Sequence, residues 1–167
     1  MKSISVGVLA ILFASAVFGQ TTGKQPVLVS IKRMSLDTAL RAAQAAIDAC
    51  RKEGVQVAVS VIDRSGQAQV VLRDVLASDL TLKVSQAKAY AAVSFVTPTS
   101  QLDSRFTQAF GPPSVGGVVI AAGGLPIQAG GELVGAIGVA GAPSGQIDER
   151  CARAGFNAIS EDLELGR

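Results

Sequence analysis

Gly116-Gly117-Val118-Val119-Ile120-Ala121-Ala122-Gly123-Gly124, then Leu125 to Gly130, then Gly131-Glu132-Leu133-Val134-Gly135-Ala136-Ile137-Gly138-Val139-Ala140-Gly141, is the run that decides the fold class. Aliphatic and β-branched residues favour strands and Gly-Gly pairs favour tight turns, so strands are expected over 117–122, 125–129 and 133–140. Glycine weakens a strand interior, and its recurrence marks backbone approached closely by a helix, another chain or a flat ligand. In the last strand Leu133, Ile137 and Val139 share one face, while Val134, Ala136, Gly138 and Ala140 leave the other unusually flat. Glu132 is the one charge between Pro113 and Gly141, at a hairpin tip where it keeps the turn soluble. A membrane span over these residues is the competing reading, which the scattered glycines disfavour.

Upstream, Ser35 reads as a helix N-cap with Asp37 in the first turn, and Leu36, Leu40, Ala43, Ile47 and Cys50 are spaced for one buried face ending at Gly54. Val55, Val57, Val59 and Val61 alternate with smaller or polar residues, predicting a strand that turns at Asp63-Arg64-Ser65-Gly66 and returns over 67–73. Ser78-Asp79 opens a second helix, with Leu80, Val84, Ala87, Ala91 and Phe95 on its apolar face and Lys83, Gln86 and Tyr90 off it; Pro98 ends it. A short helix is expected over 100–110, bounded by Pro98 and Gly111-Pro112-Pro113. The last helix, 146–163, carries Asp148 and Glu149 in its first turn and Cys151, Ala154, Ala158 and Leu163 at helical spacing.

The N-terminus pairs Lys2 with a short apolar core, Ile4 to Phe13, and closes on Val17-Phe18-Gly19 before Gln20. This predicts a secretory signal peptide over 1–19, a polar leader over 20–34, and one domain over 35–167; an uncleaved N-terminal anchor is the alternative. The expected destination is the periplasm or the medium. The formal net charge is only +2, so nothing electrostatic points to nucleic acid or anionic lipid, and no stable membrane span is expected after cleavage. Charged residues are 17% against 49% hydrophobic, a balance that suits a homo-oligomer with part of its surface covered. Export makes a Cys50–Cys151 disulfide permissible, with two buried free thiols as the alternative. The chain has no histidine, which removes Ser-His-Asp and Cys-His catalysis, His-ligated zinc and a proximal His on haem. No metal site is expected.

Lys88-Ala89-Tyr90-Ala91-Ala92 with Pro98-Thr99-Ser100, Gly123-Gly124-Leu125-Pro126-Ile127, the Gly135 to Gly141 run and Asp148-x-x-Cys151-Ala152-x-x-Gly155 together resemble the GlcG/HbpS-like family. That family includes secreted haem-binding proteins and the C-terminal domain of PduO-type adenosyltransferases. The resemblance spans residues 36–159 and implies an α+β domain, a five-stranded antiparallel sheet flanked by helices in the order α-β-β-α-(α)-β-β-β-α, assembled into oligomers. It also implies a small-molecule ligand, haem or another tetrapyrrole, with a redox-sensing or accessory role.

Since this chain lacks the His ligand of some relatives, the resemblance leaves Thr99, Tyr90 or a cysteine for the iron, and Arg73 or Lys88 for the propionates. Phe95, Phe106 and Phe110 are candidates to wall a flat pocket. Each has a plainer reading: Lys88 and Arg73 as solvated charges, Thr99 as the cap of the short helix, Tyr90 as packing or interface, the phenylalanines as core, and Asp148 as a charge at a helix start. An accessory enzyme acting on a small organic acid, with Lys88 or Asp148 as acid or base, is the alternative function.

Overall fold

The computed structural model describes residues 26–102 and 116–166. The chain divides into two units, Met1–Ser30 and Ile31–Arg167. The expected signal peptide, and Phe106 and Phe110, lie outside the described residues; in the first unit residues 26–30 form neither helix nor strand. Among the described residues, every helix and strand belongs to the second unit.

Its elements run α1 (Leu36–Lys52), β1 (Ala58–Asp63), β2 (Ala68–Arg73), α2 (Leu80–Phe95), a 3-10 turn at Thr99–Gln101, β3 (Gly124–Ala129), β4 (Glu132–Ala140) and α3 (Gly145–Leu165). The strands form one antiparallel sheet ordered β2-β1-β4-β3. α1 and α3 cover one face and α2 the other, which gives an α+β domain of three layers. Ser35 caps α1 by accepting from the Thr38 amide at 3.2 Å, as its position predicts.

Among the described residues the sheet has four strands where five were expected. Residues 117–122 are not a strand, because Gly116 and Gly117 take φ of +78° and +71° and turn the backbone away from extended geometry. The Val119 amide then reaches the Ala87 carbonyl on α2, at 3.5 Å, rather than a neighbouring strand. The expected helix over 100–110 is described only at its start, as the 3-10 turn.

Side-chain size, more than hydrophobicity, decides which helix faces are buried. On α1 the packed residues are Ala39, Ala42, Ala43, Ala46, Ile47 and Cys50, while Leu36 and Leu40 face outward, contrary to expectation. The reason is Gly155 on α3: a Cβ there would overlap Ala42, Ala46 and Ile137, so the helices meet nearly backbone to backbone. On α2 the buried residues are Ser85, Lys88, Ala89, Ala91, Ala92 and Val93, so Ala91 is buried as expected while Leu80 is 64% exposed. On α3, Ala158 is exposed and Ile159 takes the core position expected of it.

The flat face of β4 is occupied by the chain itself. A Cβ on Gly138 would overlap the Ser85 carbonyl oxygen and the Ala89 amide, so α2 lies directly against this strand and the face is closed to a planar ligand. The expected alternation on β4 also shifts. Ile127 pairs with Gly135 but Gln128 with Leu133, leaving Val134 as a bulged residue. Val134 therefore joins Ile137 and Val139 on the α1/α3 side, and Leu133 packs with Ile62 and Ala136 on the α2 side.

Cys50 on α1 and Cys151 on α3 form a disulfide, with Cα atoms 5.5 Å apart, and both are buried. Arg41 with Asp162 adds an ion pair between the same two helices, and Arg150 on α3 pairs with Glu53 just past the end of α1. Among the described residues no helix is long and apolar enough to cross a membrane.

Candidate functional site

The Gly123-Gly124 pair gathers the side chains that the sequence singles out on α2 and after it. At Gly123 an added Cβ would stand 2.9 Å from Lys88 Nζ and 2.8 Å from Asp148 Cβ; at Gly124 it would stand 2.7 Å from Thr99 Cγ2. Glycine at both positions lets the start of β3, the middle of α2 and the first turn of α3 converge.

Lys88 is 3% exposed, so its reading as a solvated charge is overturned. Its Nζ donates to Asp148 Oδ2 at 2.7 Å and to the Val139 carbonyl at 3.1 Å. Asp148 is equally buried, and its Oδ1 accepts from the Ala142 amide at 3.0 Å. Burial pushes the Asp148 carboxyl above its ordinary range, against the opposing pull of Lys88 and the Ala142 and Gly141 amides. The pair ties α2, the end of β4 and α3 together. Within it, Lys88 Nζ and both Asp148 carboxylate oxygens are bonded to one another and to backbone.

Thr99 is fully buried. It does not cap the short turn, whose N-cap is Pro98; its Oγ1 accepts from the Gly124 amide at 2.9 Å and donates to the Gly124 carbonyl at 3.4 Å. Arg73 is exposed at the end of β2, donates to the Ala77 carbonyl, and sits on the sheet edge opposite β3 and Thr99. Phe95 is half-buried in the last turn of α2. The disulfide removes both cysteines as iron donors. The structure thus brings Lys88 and Thr99 together and holds Arg73 apart from them.

Tyr90 stands on the outer side of α2, 43% exposed. Its ring lies against Gly66 in the β1–β2 turn, where a Cβ would approach Tyr90 Cε2 to 2.7 Å. That turn is braced by Asp63, whose Oδ1 accepts from the Ser65 and Gln67 amides at 2.8 and 3.0 Å and whose Oδ2 pairs with Arg33 at 3.0 Å. Between turn and helix runs a groove of about 380 Å³ lined by Gln67, Lys83, Gln86, Ala87, Tyr90 and two glycines.

Two further clefts open elsewhere. One, of about 420 Å³, lies beside the first half of α3, with Ile120, Ala122, Arg150 and Arg153 in its wall; Arg150 is held by Glu53 and Arg153 by Glu149. The other, of about 550 Å³, lies between the start of α1 and the end of α3, where Arg33, Lys32 and Asp162 are paired to Asp63, Glu132 and Arg41.

Sequence reasoning missed Asp148 as the partner of Lys88 and Lys83 as a groove residue. The signal for the first is visible afterwards: Lys88 continues the small-residue line of Ser85, Ala89 and Ala92, the side of α2 that can lie on Gly138. Lys83 carries no such mark.

The haem-degrading HbpS-like family model matches residues 34–157. Among solved structures, a crystal structure of HbpS is similar at 40% identity, covering 83% of this chain and 98% of that one, with a TM-score of 0.77. A double mutant of HbpS from Streptomyces reticuli is similar at 40% identity, covering 83% and 94%, with a TM-score of 0.77. A PduOC:haem complex is similar at 28% identity, covering 77% and 96%, with a TM-score of 0.71. Among curated proteins, none matches the chain.

Proposed function

This chain belongs to the HbpS-like family, and from that premise we propose that it is an exported protein that binds haem or a closely related tetrapyrrole. The observation that carries this reading is similarity along almost the full length of two kinds of relative, HbpS and a domain crystallised with haem. Export is supported by the buried Cys50–Cys151 disulfide, since such bonds persist in oxidising compartments. An accessory or redox-sensing role follows from the same reading, with ligand occupancy as the signal. Self-association is supported by Val75, Leu76 and Leu80, which lie 64–79% exposed over the β2–α2 connection; a monomer mass in sedimentation would remove it.

A haem site needs an axial donor, flat small-residue walls and cations for carboxylates. The described residues fit these needs in part: Tyr90 offers an uncommitted phenol, and Lys83 an uncommitted ammonium. When bound, haem supplies an iron centre for ligand or redox chemistry; the chain's own part is to hold and orient it. Titration of the purified protein with hemin is expected to give a saturable Soret shift at one stoichiometry. No shift at micromolar protein would overturn the proposal.

A further inference from the structure

Four large aliphatic side chains stand exposed in one short stretch: Val71 on β2, Val75 and Leu76 in the connection, and Leu80 opening α2. Arg73 folds back to donate to the Ala77 carbonyl, which holds the end of β2 against the connection and makes these residues one surface. Single exposed aliphatics are ordinary, but a cluster of them marks an interaction site. The two edges of the sheet also differ. β3 is closed, because Thr99 takes both the amide and the carbonyl of Gly124, and Pro126 has no amide to offer a further strand. β2 carries neither proline nor lysine, and among the described residues no strand lies on its outer side. Charge at the patch is self-complementary. The Arg73 guanidinium is bonded to the Ala77 carbonyl and the Asp79 carboxylate to the Leu80 amide; both side chains are exposed, with no ion pair on either among the described residues.

Resting on the self-association reading, we infer that this patch is the seat of a second copy of the chain. The two copies meet about a two-fold axis, with the four aliphatic residues at the centre, the β2 edge inside the contact, and Arg73 of each copy against Asp79 of the other. A two-fold contact sets one residue against a second and the second against the first, so a single cation and a single carboxylate on a shared apolar patch give two ion pairs. The aliphatic centre supplies the affinity by excluding water. The ion pairs lie at its margin, where they fix orientation more than they add strength.

The test is sedimentation of the whole oxidised protein over a range of concentrations. The first turn of α2 holds no acidic residue, so Leu80→Glu favours the helix while placing a charge in the contact. It is expected to weaken association about tenfold or more, and Leu76→Glu likewise, both keeping the helical circular dichroism of wild type. Arg73→Glu and Asp79→Arg each set like charges across the axis and are each expected to weaken association about threefold, the scale of an exposed ion pair. An equimolar mixture of these two is expected to restore it, because both pairs then meet as opposite charges. Asp79→Arg also removes the cap of α2, and recovery in the mixture separates the contact from a folding defect. Unchanged association in both leucine variants, or no recovery in the mixture, would overturn the assignment and leave self-association standing at another surface. A wild-type monomer removes both, and one that binds phosphatidylcholine vesicles, with binding lost in Leu80→Glu, gives the patch to a lipid surface instead.

Discussion

Lys88 shows how far a residue's chemistry depends on its surroundings. A lysine on a helix is ordinarily solvated, but this one is closed in by the Gly123-Gly124 backbone and committed to Asp148 and Val139. Removing one member of such a pair leaves the other buried without compensation, so Lys88→Met is expected to cost about 3–5 kcal/mol in urea unfolding near neutral pH. The sign with pH is fixed by Asp148. Its folded carboxyl already binds a proton more tightly than the unfolded one, so this group's contribution is fully present in acid and is lost as pH rises through its raised pKa. Losing the lysine raises it further, so the deficit of Lys88→Met should shrink in acid; an equal deficit at acid and neutral pH would refute the account. A double variant with Asp148→Leu should recover much of the loss, since an apolar pair can replace a buried ionic one.

At the scale of elements, the end of α1 is clamped to the end of β2. Arg51 donates through Nε and Nη2 to the two carboxylate oxygens of Asp74, at 2.7 and 3.0 Å. The Arg51 hydrogen bond holds the Asp74 carboxyl below its ordinary 3.8, helped by the Val75 amide. A lowered pKa contributes stability above the unfolded value that is lost as pH falls through the folded one. Asp74→Asn should therefore lower Tm at neutral pH and converge with wild type in strong acid, measured by thermal melts across pH. Most of the elements were legible in the sequence: Ser35 and Gly54 frame α1, alternating valines mark β1, and Pro98 closes off α2, whereas the aliphatic run over 117–122 did not show that its glycines would turn it out of the sheet. Their faces were not. Periodicity pointed to Leu36, Leu40 and Leu80 as buried, but the layers approach too closely for leucine, and alanine and serine take those places. The Val134 bulge was equally hidden, since an extra residue in one strand shows only when its partner is known. Of the candidate site, Tyr90 and Lys88 were named, but which was buried and which open depended on the helix rotation that size decides.

For the whole molecule, the Cys50–Cys151 bridge spans 101 residues of sequence and closes β1 to β4 and α2 into one loop. On a chain-entropy account a loop of that length is worth about 4–5 kcal/mol, so the Cys50→Ala/Cys151→Ala double variant should lose that much in denaturant unfolding while keeping its helices by circular dichroism. An unchanged midpoint would show that packing between α1 and α3 suffices alone. The spacing of the layers has a different origin. At Gly138 the obstacle to any larger residue is a carbonyl oxygen and an amide of the opposing main chain, groups that every amino acid carries. No neighbouring mutation can trim them. A damaging change at this position has no local suppressor: reversion to the original codon restores the contact, whereas second-site rescue must come from stabilisation elsewhere in the domain.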